Sequence, residues 1–175
     1  MSGATSKNTG LRLFLWGELN EDVSITIIDE LLSYTGKKPV TLYINSNGGN
    51  IADAIAIIQV MRAVPYEVNT CVLGNAFSAA MLVAAAGTGC RSAGPLSRLM
   101  FHPIHADLGS NNVSQAIITA KEMNCTWNTI TGILEAVTDG SINEDNISMF
   151  ENDYYMSAAE ARKLGLIDQI TTQTK

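Results

Sequence analysis

Residues 40–64 read VTLYINSNGGNIADAIAIIQVMRAV and contain one strand, one turn and one helix in immediate succession. The apolar first five residues predict a buried β-strand, and the glycine-rich residues 45–49 predict a tight turn. Asn50 can cap the helix predicted over residues 51–64, which ends before Pro65. A strand that passes directly into a helix is the repeating unit of folds with parallel β-sheets.

The alternation of strands and helices continues on both sides of this unit. Upstream, alternating leucines predict a strand at residues 11–16 that Gly17 stops, and helical spacing predicts a helix over residues 23–34. Downstream, we predict a strand at 67–73 that Gly74 breaks, an apolar helical segment at 79–86, a strand at 98–101 and a long helix at 113–137. Near the end, we predict short helices that begin at the capping boxes 141–144 and 157–160, with an extended segment at 152–156 between them. The pattern predicts an α/β fold with largely parallel strands.

The chain is acidic and poor in charged residues. Its 11 Lys and Arg residues against 17 Asp and Glu residues give a net charge of −6, which excludes a basic surface for nucleic acid. Hydrophobic residues make up 46% of the chain and charged residues only 16%, so the chain is not of the disordered class. A folded chain of this composition has either a large core or a surface that other copies cover.

Length and sequence signals bound the organisation of the chain. Its 175 residues, with no linker, predict one domain at residues 11–175 behind a polar, flexible segment at residues 1–10. The first ten residues show no secretory signal, and no apolar run approaches the length of a membrane span. Three cysteines lie far apart and show no metal-ligand spacing, which argues against a disulfide framework or a zinc site. We expect a cytoplasmic protein, or its equivalent in an organelle stroma or matrix, with no membrane partner.

The residues that could carry chemistry are few. His102 and His105 are the two histidines, and a metal site there is disfavoured because only Asp107 lies nearby as a further ligand. Ser78 lies between a predicted strand and an apolar helix, where the next backbone N–H can stabilise an oxyanion, although an ordinary N-cap explains it equally well. The glycines at 48–49 fit either a plain turn or a second N–H donor. These residues permit a Ser/His/acid hydrolase without establishing one.

Four segments together resemble the ClpP family, the proteolytic subunits of Clp ATP-dependent proteases. They are residues 43–49 (YINSNGG), 74–78 (GNAFS), 97–102 (SRLMFH), and 152–161 (NDYYMSAAEA) followed by GLID at 165–168. The segments occur in the family's order, and the resemblance extends over residues 11–170. One such motif would be weak, whereas four in register make the resemblance specific.

The resemblance implies a role for five residues. Ser78 matches the nucleophile, His102 the general base and Asp153 the acid that orients the imidazole. Gly49 and Ala79 match the positions whose backbone N–H groups form the oxyanion hole, and a glycine at 49 lets the backbone approach the substrate carbonyl. His105 matches no catalytic position, so we expect it in the loop or the cleft lining.

The resemblance also implies a fold, an assembly and a substrate class. The fold would be a crotonase-like spiral of ββα units with a protruding handle helix, here residues 113–137. Two stacked heptamers of identical subunits would enclose a chamber, into which an AAA+ unfoldase feeds unfolded polypeptides that leave as short peptides. The chain itself would need no cofactor, since the unfoldase partner uses the ATP.

The sequence departs from the family pattern in several places. Asn47 replaces the usual proline, and Asn152 replaces the arginine that often pairs across the ring–ring interface. Residues 103–109 contain one glycine where the family has a glycine-rich stretch, and the segment before Leu11 is short. These differences keep open an alternative, a catalytically weak ring subunit that assembles with an active paralogue. An acyl-CoA enzyme on the related crotonase fold is less favoured, because Ser78 and His102 occupy the positions where that chemistry needs carboxylates.

Overall fold

Strands and helices alternate along the chain in the computed structural model, which describes residues 10–104, 112–150 and 152–171, without the side chain of Met149. The strands are β1 (Arg12–Leu19), β2 (Val40–Gly49), β3 (Val68–Phe77), β4 (Arg91–Ala93), β5 (Arg98–Phe101), β6 (Tyr154–Ser157) and β7 (Gln169–Ile170). The α-helices are α1 (Glu21–Ser33), α2 (Ile51–Ala63), α3 (Ala79–Ala85), α4 (Val113–Val137) and α5 (Ala158–Lys163), and a 3-10 helix covers Ile147–Phe150. Apart from Gly10, the predicted segment 1–10 lies outside the described residues, as do His105 and most of the segment 103–109.

One largely parallel sheet organises the molecule, as the sequence predicts. Strands β1, β2, β3, β4 and β7 form a parallel path in that order, while β5 pairs with β3 and carries β6 antiparallel on its other side. Strand β3 therefore has two neighbours on one side. Its residues 70–72 pair with β4, and its residues 75–77 pair with β5. The sheet thus splits just before the end of β3.

Helix α3 lies at the centre of the core. All seven of its residues are buried, and it packs against α2, β2 and β3. Its alanines allow this close approach, because a small side chain lets a helix backbone come near a sheet. Burial of apolar surface is the main stabilising term in folding, and α3 contributes its whole surface to this core.

Helix α4 protrudes from this core, and its bounds match the prediction. Asn112 caps it by accepting a hydrogen bond from the backbone N–H of Gln115. The buried residues of α4 begin only at Ile130, whereas Val113 near its start is mostly exposed. Within the described part of the chain, no helix combines the length and apolar character needed to cross a membrane.

Three predicted ends of strands are wrong. Gly17 does not stop β1, residues 45–49 belong to β2 rather than to a turn, and Gly74 lies inside β3. The reason is parallel pairing: β1 and β2 stay paired to Leu19, and irregularities in the register accommodate the extra residues as bulges. A glycine within a strand often marks such a bulge, so glycine alone did not locate the ends.

The two capping boxes behave differently. The box at 157–160 is confirmed, because Ser157 and Glu160 exchange both capping hydrogen bonds at the start of α5. The prediction that a helix begins at the box 141–144 is wrong, since these residues form bends and a turn, and the helical segment that follows is the 3-10 helix at Ile147–Phe150. There the Thr138 hydroxyl accepts from the backbone N–H of Ile142 at 3.1 Å, which takes the place of a helical start. Strands β4 and β7 were not predicted, because runs of three and two residues carry no readable periodicity.

Candidate active site

Ser78 occupies a sharp turn between the end of β3 and the start of α3. Its backbone lies at φ 52° and ψ −127°, a conformation that non-glycine residues rarely adopt. Its side chain makes no capping hydrogen bond to the helix, which argues against the ordinary N-cap interpretation. A strained strand-to-helix turn that exposes a serine hydroxyl is the geometry of a nucleophile elbow, and backbone strain of this kind concentrates at functional sites.

Two neighbouring strands hold this strained turn in place. The backbone N–H of Ser78 donates to the Met100 carbonyl oxygen of β5 at 2.8 Å. On the other side, Gly48 of β2 lies so close that a Cβ there would stand 2.6 Å from the Phe77 carbonyl oxygen and 2.9 Å from Ser78 Cβ. Gly48 also has φ +91°, so only glycine suits this position. The end of β2 therefore lies directly against the nucleophile turn.

A cleft of about 160 Å³ brings most of the predicted site residues together. Ser78, His102, Gly49 and Ala79 all line it. The rest of its described lining is apolar and consists of Ile51, Leu82, Phe101, Pro103 and Ile104. The cleft can therefore hold a reacting group beside a hydroxyl, an imidazole and two backbone segments that carry N–H donors.

His102 follows the last residue of β5 and is half-buried. Its Nδ1 lies 2.5 Å from the Pro103 carbonyl oxygen. Because a carbonyl oxygen can only accept, this contact requires the proton to be on Nδ1. In that tautomer Nε2 carries the lone pair, which a general base needs.

The pairing of β5 with β6 brings Asp153 close to the end of β5. The antiparallel register places Phe101 opposite Tyr154. Both strands end at this pair, and the same register continued by one residue would set His102 opposite Asp153. Asp153 is nevertheless exposed, and among the described residues the lining of the cleft does not include it. The structure thus brings four of the five predicted residues into one cleft and sets the fifth at the neighbouring strand end.

An aromatic cluster that the sequence did not reveal supports these two strand ends. The ring of Phe150 lies edge-on to Phe101 at 5.0 Å and to Tyr154 at 5.3 Å between centroids. Phe101 also stacks on Trp127 of α4 at 6.0 Å. Since Phe101 precedes His102 and Tyr154 follows Asp153, the cluster ties both strand ends to α4. Trp127 lies within the helix predicted at 113–137, but its contact with Phe101 could not be predicted from the sequence.

A second cavity of about 350 Å³ adjoins the cleft. It shares Pro103 and Ile104 with the cleft, and its other described lining residues, all from α4, are Ala120, Met123, Asn124 and Trp127.

No group of three or more His, Cys, Asp or Glu side chains within residues 10–104, 112–150 and 152–171 could hold a metal ion. The described chemistry of the cleft therefore consists of the hydroxyl, the imidazole and the backbone.

Comparison with known proteins gives one family. The model of the Clp protease family matches residues 7–174. The chain is 37% identical over 180 residues to the ATP-dependent Clp protease proteolytic subunit 4, chloroplastic, of Arabidopsis thaliana, a match that covers 96% of this chain and 60% of the relative. It is 33% identical over 164 residues to the ATP-dependent Clp protease proteolytic subunit 2 of Prochlorococcus marinus strain MIT 9312, covering 91% and 80%. The subunit 2 of strain MIT 9313 is 35% identical over 165 residues, covering 90% and 80%.

Proposed function

Because the chain belongs to the Clp protease family, a family of serine endopeptidases with the mixed α/β ClpP fold, we propose that it hydrolyses peptide bonds with Ser78, His102 and Asp153 as a catalytic triad. The observation that carries this proposal is the nucleophile turn. Ser78 stands in a strained backbone conformation, makes no capping hydrogen bond and shares a cleft with His102. A serine that served only as a helix cap would make a capping hydrogen bond, and it would need neither the strained backbone nor the shared cleft.

The proposed reaction proceeds through an acyl-enzyme. His102 Nε2 takes the proton of the Ser78 hydroxyl while Oγ attacks the scissile carbonyl carbon. The protonated imidazole then gives that proton to the leaving amine, and the peptide bond breaks. The same imidazole then takes a proton from a water molecule that attacks the ester carbonyl carbon, and it returns that proton to Ser78 Oγ as the ester bond breaks. Each half-reaction thus uses His102 once as a base and once as an acid.

Two backbone N–H groups would stabilise the tetrahedral intermediate. Gly49 at the end of β2 and Ala79 at the start of α3 both line the cleft beside Ser78. The N–H groups of the first helical turn have no partner within the helix, so that of Ala79 is available to an oxyanion. Each such donor is expected to lower the activation free energy by about 3 kcal/mol.

Asp153 would orient His102 and stabilise the imidazolium. It directly precedes Tyr154, which pairs with Phe101, the residue before His102, and this proximity of the two strand ends supports the role. In the structure, however, the Pro103 carbonyl oxygen lies 2.5 Å from His102 Nδ1, the nitrogen to which the acid of a triad bonds. We infer that full activity requires a shift in which the carboxylate replaces this carbonyl at Nδ1.

We further propose that the chain acts within a double ring of two stacked heptamers that receives unfolded polypeptides from an AAA+ unfoldase and releases short peptides. Exposed apolar side chains support an assembly. Phe14 and Trp16 on β1 and Val113, Ile117 and Ile118 on α4 are each more than half exposed.

No cofactor enters this proposal, since ATP is used by the unfoldase. We place the protein in the cytoplasm or in an organelle equivalent, in keeping with the chloroplast protein among its relatives. Because the chain spans 60% of that relative's length, the assembly and its partners are proposals.

One observation favours a second function. The exposure of Asp153 and the contact between His102 and the Pro103 carbonyl describe a triad that is not assembled in the single chain. A catalytically weak subunit, which builds a ring with an active paralogue, would retain this arrangement. The two functions differ in what the purified chain does alone.

Serine labelling combined with native mass distinguishes them. We expect the assembled chain to react with a fluorophosphonate probe at Ser78 and to hydrolyse a model peptide, and the Ser78→Ala variant to assemble normally while losing both reactions. Assembly without labelling or turnover, regained only with a paralogue, would support the weak subunit. A stable monomer at working concentration would contradict the proposed ring.

A further inference from the structure

The last part of β3 contains an irregularity directly before the nucleophile. Ile44 of β2 pairs with Val72 of β3, but Ser46 pairs with Ala76, so β3 takes four steps where β2 takes two. At the same place β3 leaves β4 and takes β5 as its neighbour. The bulge thus determines how far Ser78, two residues beyond Ala76, advances along the end of β2. Bulges next to active sites commonly redirect a side chain in this way.

The side chain of Asn45 occupies this bulge. Its Oδ1 accepts a hydrogen bond from the backbone N–H of Asn75 at 3.0 Å, in a partly buried position. Gly74 provides the space, because a Cβ on Gly74 would collide with Asn45 Oδ1 and stand 3.0 Å from its Cγ. The amide and the glycine therefore fit together as one contact between the two strands.

Three residues further along both strands, the same two segments meet again. Gly48 lies against Ser78 at the distances given above, and Gly49 follows it in the cleft. The segment from Asn45 to Gly48 is thereby held to the segment from Asn75 to Ser78 at both of its ends. A change at the first contact alters the geometry of the second, where the nucleophile and the oxyanion donor stand side by side.

We propose that Asn45 is a positioning residue, whose side-chain amide fixes the bulge and so sets Ser78 at the correct distance from the backbone of Gly49. This inference rests on the proposed peptidase function. Asn45 is not among the described residues that line the cleft, and it acts through the backbone of Asn75. A displacement of about 1 Å in an active site can lower a rate by about 100-fold, so a small slip of the bulge has a measurable effect.

The test compares three substitutions in the assembled full-length chain. Asn45→Ala removes the acceptor, and we expect acylation of Ser78 by a fluorophosphonate and kcat for a model peptide to fall about 10- to 100-fold, with KM nearly unchanged. Asn45→Asp keeps an oxygen at the same place and should restore most of the rate. Asn47→Ala is the matched control and should react like wild type, since among the described residues Asn47 Oδ1 accepts a hydrogen bond from the exposed Asn75 side-chain amide alone, at 3.3 Å.

Gly74→Ala tests the same contact from the other strand and keeps the proposal testable should Asn45→Ala not assemble. We expect this variant to lose acylation rate as Asn45→Ala does, and the double variant to be no slower than either single variant, because both changes remove one contact. An Asn45→Ala or Gly74→Ala variant that acylates as fast as wild type would overturn the inference, as would Asn45→Asp being as slow as Asn45→Ala.

The failure of this inference can be told from that of the proposed function. If wild type is labelled at Ser78 and the variants are labelled equally fast, the positioning role of Asn45 is contradicted and the proposed function stands. If wild type is not labelled at Ser78, both proposals are contradicted.

Discussion

Ser78 combines a functional position with an unfavourable backbone. Non-glycine residues held in sparsely populated backbone regions typically cost about 1–3 kcal/mol, which the surrounding structure must offset. The hydrogen bond to the Met100 carbonyl oxygen and the contact with Gly48 supply that support. A residue whose local geometry lowers stability is expected where activity, rather than packing, sets the requirement.

Replacing Ser78 by two small residues measures this strain. We expect Ser78→Gly to be about 1 kcal/mol more stable to unfolding than Ser78→Ala, because glycine adopts a positive φ freely, although it loses more entropy on folding. Urea unfolding of both variants under the same conditions gives the difference. If Ser78→Ala were the more stable of the two, the backbone at this position would not be strained.

The elements that the sequence located best are those stabilised by their own pattern. Helix α4 is one of them, with a side-chain cap at Asn112 and 25 residues of helical spacing. Gly132 is a residue of low helix propensity in the interior of this helix. This glycine is exposed, and a Cβ there would meet no atom within 4 Å.

Gly132→Ala should therefore stabilise the helix. Glycine is about 0.8–1.0 kcal/mol less favourable than alanine in a helix interior, so we expect a gain of about that size and a higher thermal midpoint. Thermal and urea unfolding, followed by the helical circular dichroism signal, would measure it. A loss of stability accompanied by a lower native mass would instead show that the face at Gly132 contacts another copy.

What the sequence missed depends on contacts between distant residues. The strand at 98–101 and the helix at 113–137 were predicted with their observed bounds: the strand is a short run with three apolar residues, and the helix has a long periodic pattern of its own. Strand β7 is only two residues long and exists because β4 lies beside it. The bulge at Gly74 likewise requires Asn45, 29 residues away along the chain, and no local pattern contains that pairing.

The candidate site shows the same division. Ser78, His102, Gly49 and Ala79 were identified by resemblance to a family, and the fold brings them into one cleft. The sequence was therefore sufficient to identify candidate catalytic residues, because their residue types occur in the order of the family's motifs. The contact of His102 with the Pro103 carbonyl oxygen and the aromatic cluster around Phe150 could not, because both arise from packing after the chain has folded.

At the scale of the whole molecule, one arginine joins three separate parts. Arg91 of β4 donates from its guanidinium to the Ala85 carbonyl oxygen at the end of α3 and to the Val137 carbonyl oxygen at the end of α4. It also forms a salt bridge with Asp168, just before β7, at 2.5 Å. The helix that begins at the nucleophile and the protruding helix thus end on the same side chain.

This junction predicts a dependence of stability on pH. Burial raises the pKa of the Asp168 carboxyl, but hydrogen bonds from the Arg91 side chain and backbone N–H, together with the Arg91 charge, outweigh burial and lower the pKa below its ordinary value. A carboxyl whose pKa is depressed in the folded state stabilises that state above its unfolded pKa, which is about 3.9. The contribution is then lost as the pH falls through the folded pKa.

Asp168→Asn, which removes the charge beside Arg91, should therefore be less stable than wild type near neutral pH, and the difference should shrink as the pH falls below about 4. Because the carboxylate is partly exposed, solvent screening keeps the effect of the pair modest. Urea unfolding of both proteins between pH 3 and 7 checks this expectation, with Asp29→Asn, at an exposed position of α1, as a control. A difference that stays constant over the range would show that the carboxylate charge is not what stabilises the junction.

The short pairing of β5 with β6 also limits how this protein can change over evolution. His102 and Asp153 lie 51 residues apart along the chain, and the register from Arg98 and Ser157 to Phe101 and Tyr154 brings the two strand ends that carry them together. Side chains alternate between the two faces of a strand, so a single inserted or deleted residue would turn one of the pair away. We therefore expect these strands to accept substitutions over generations while rejecting every change in length.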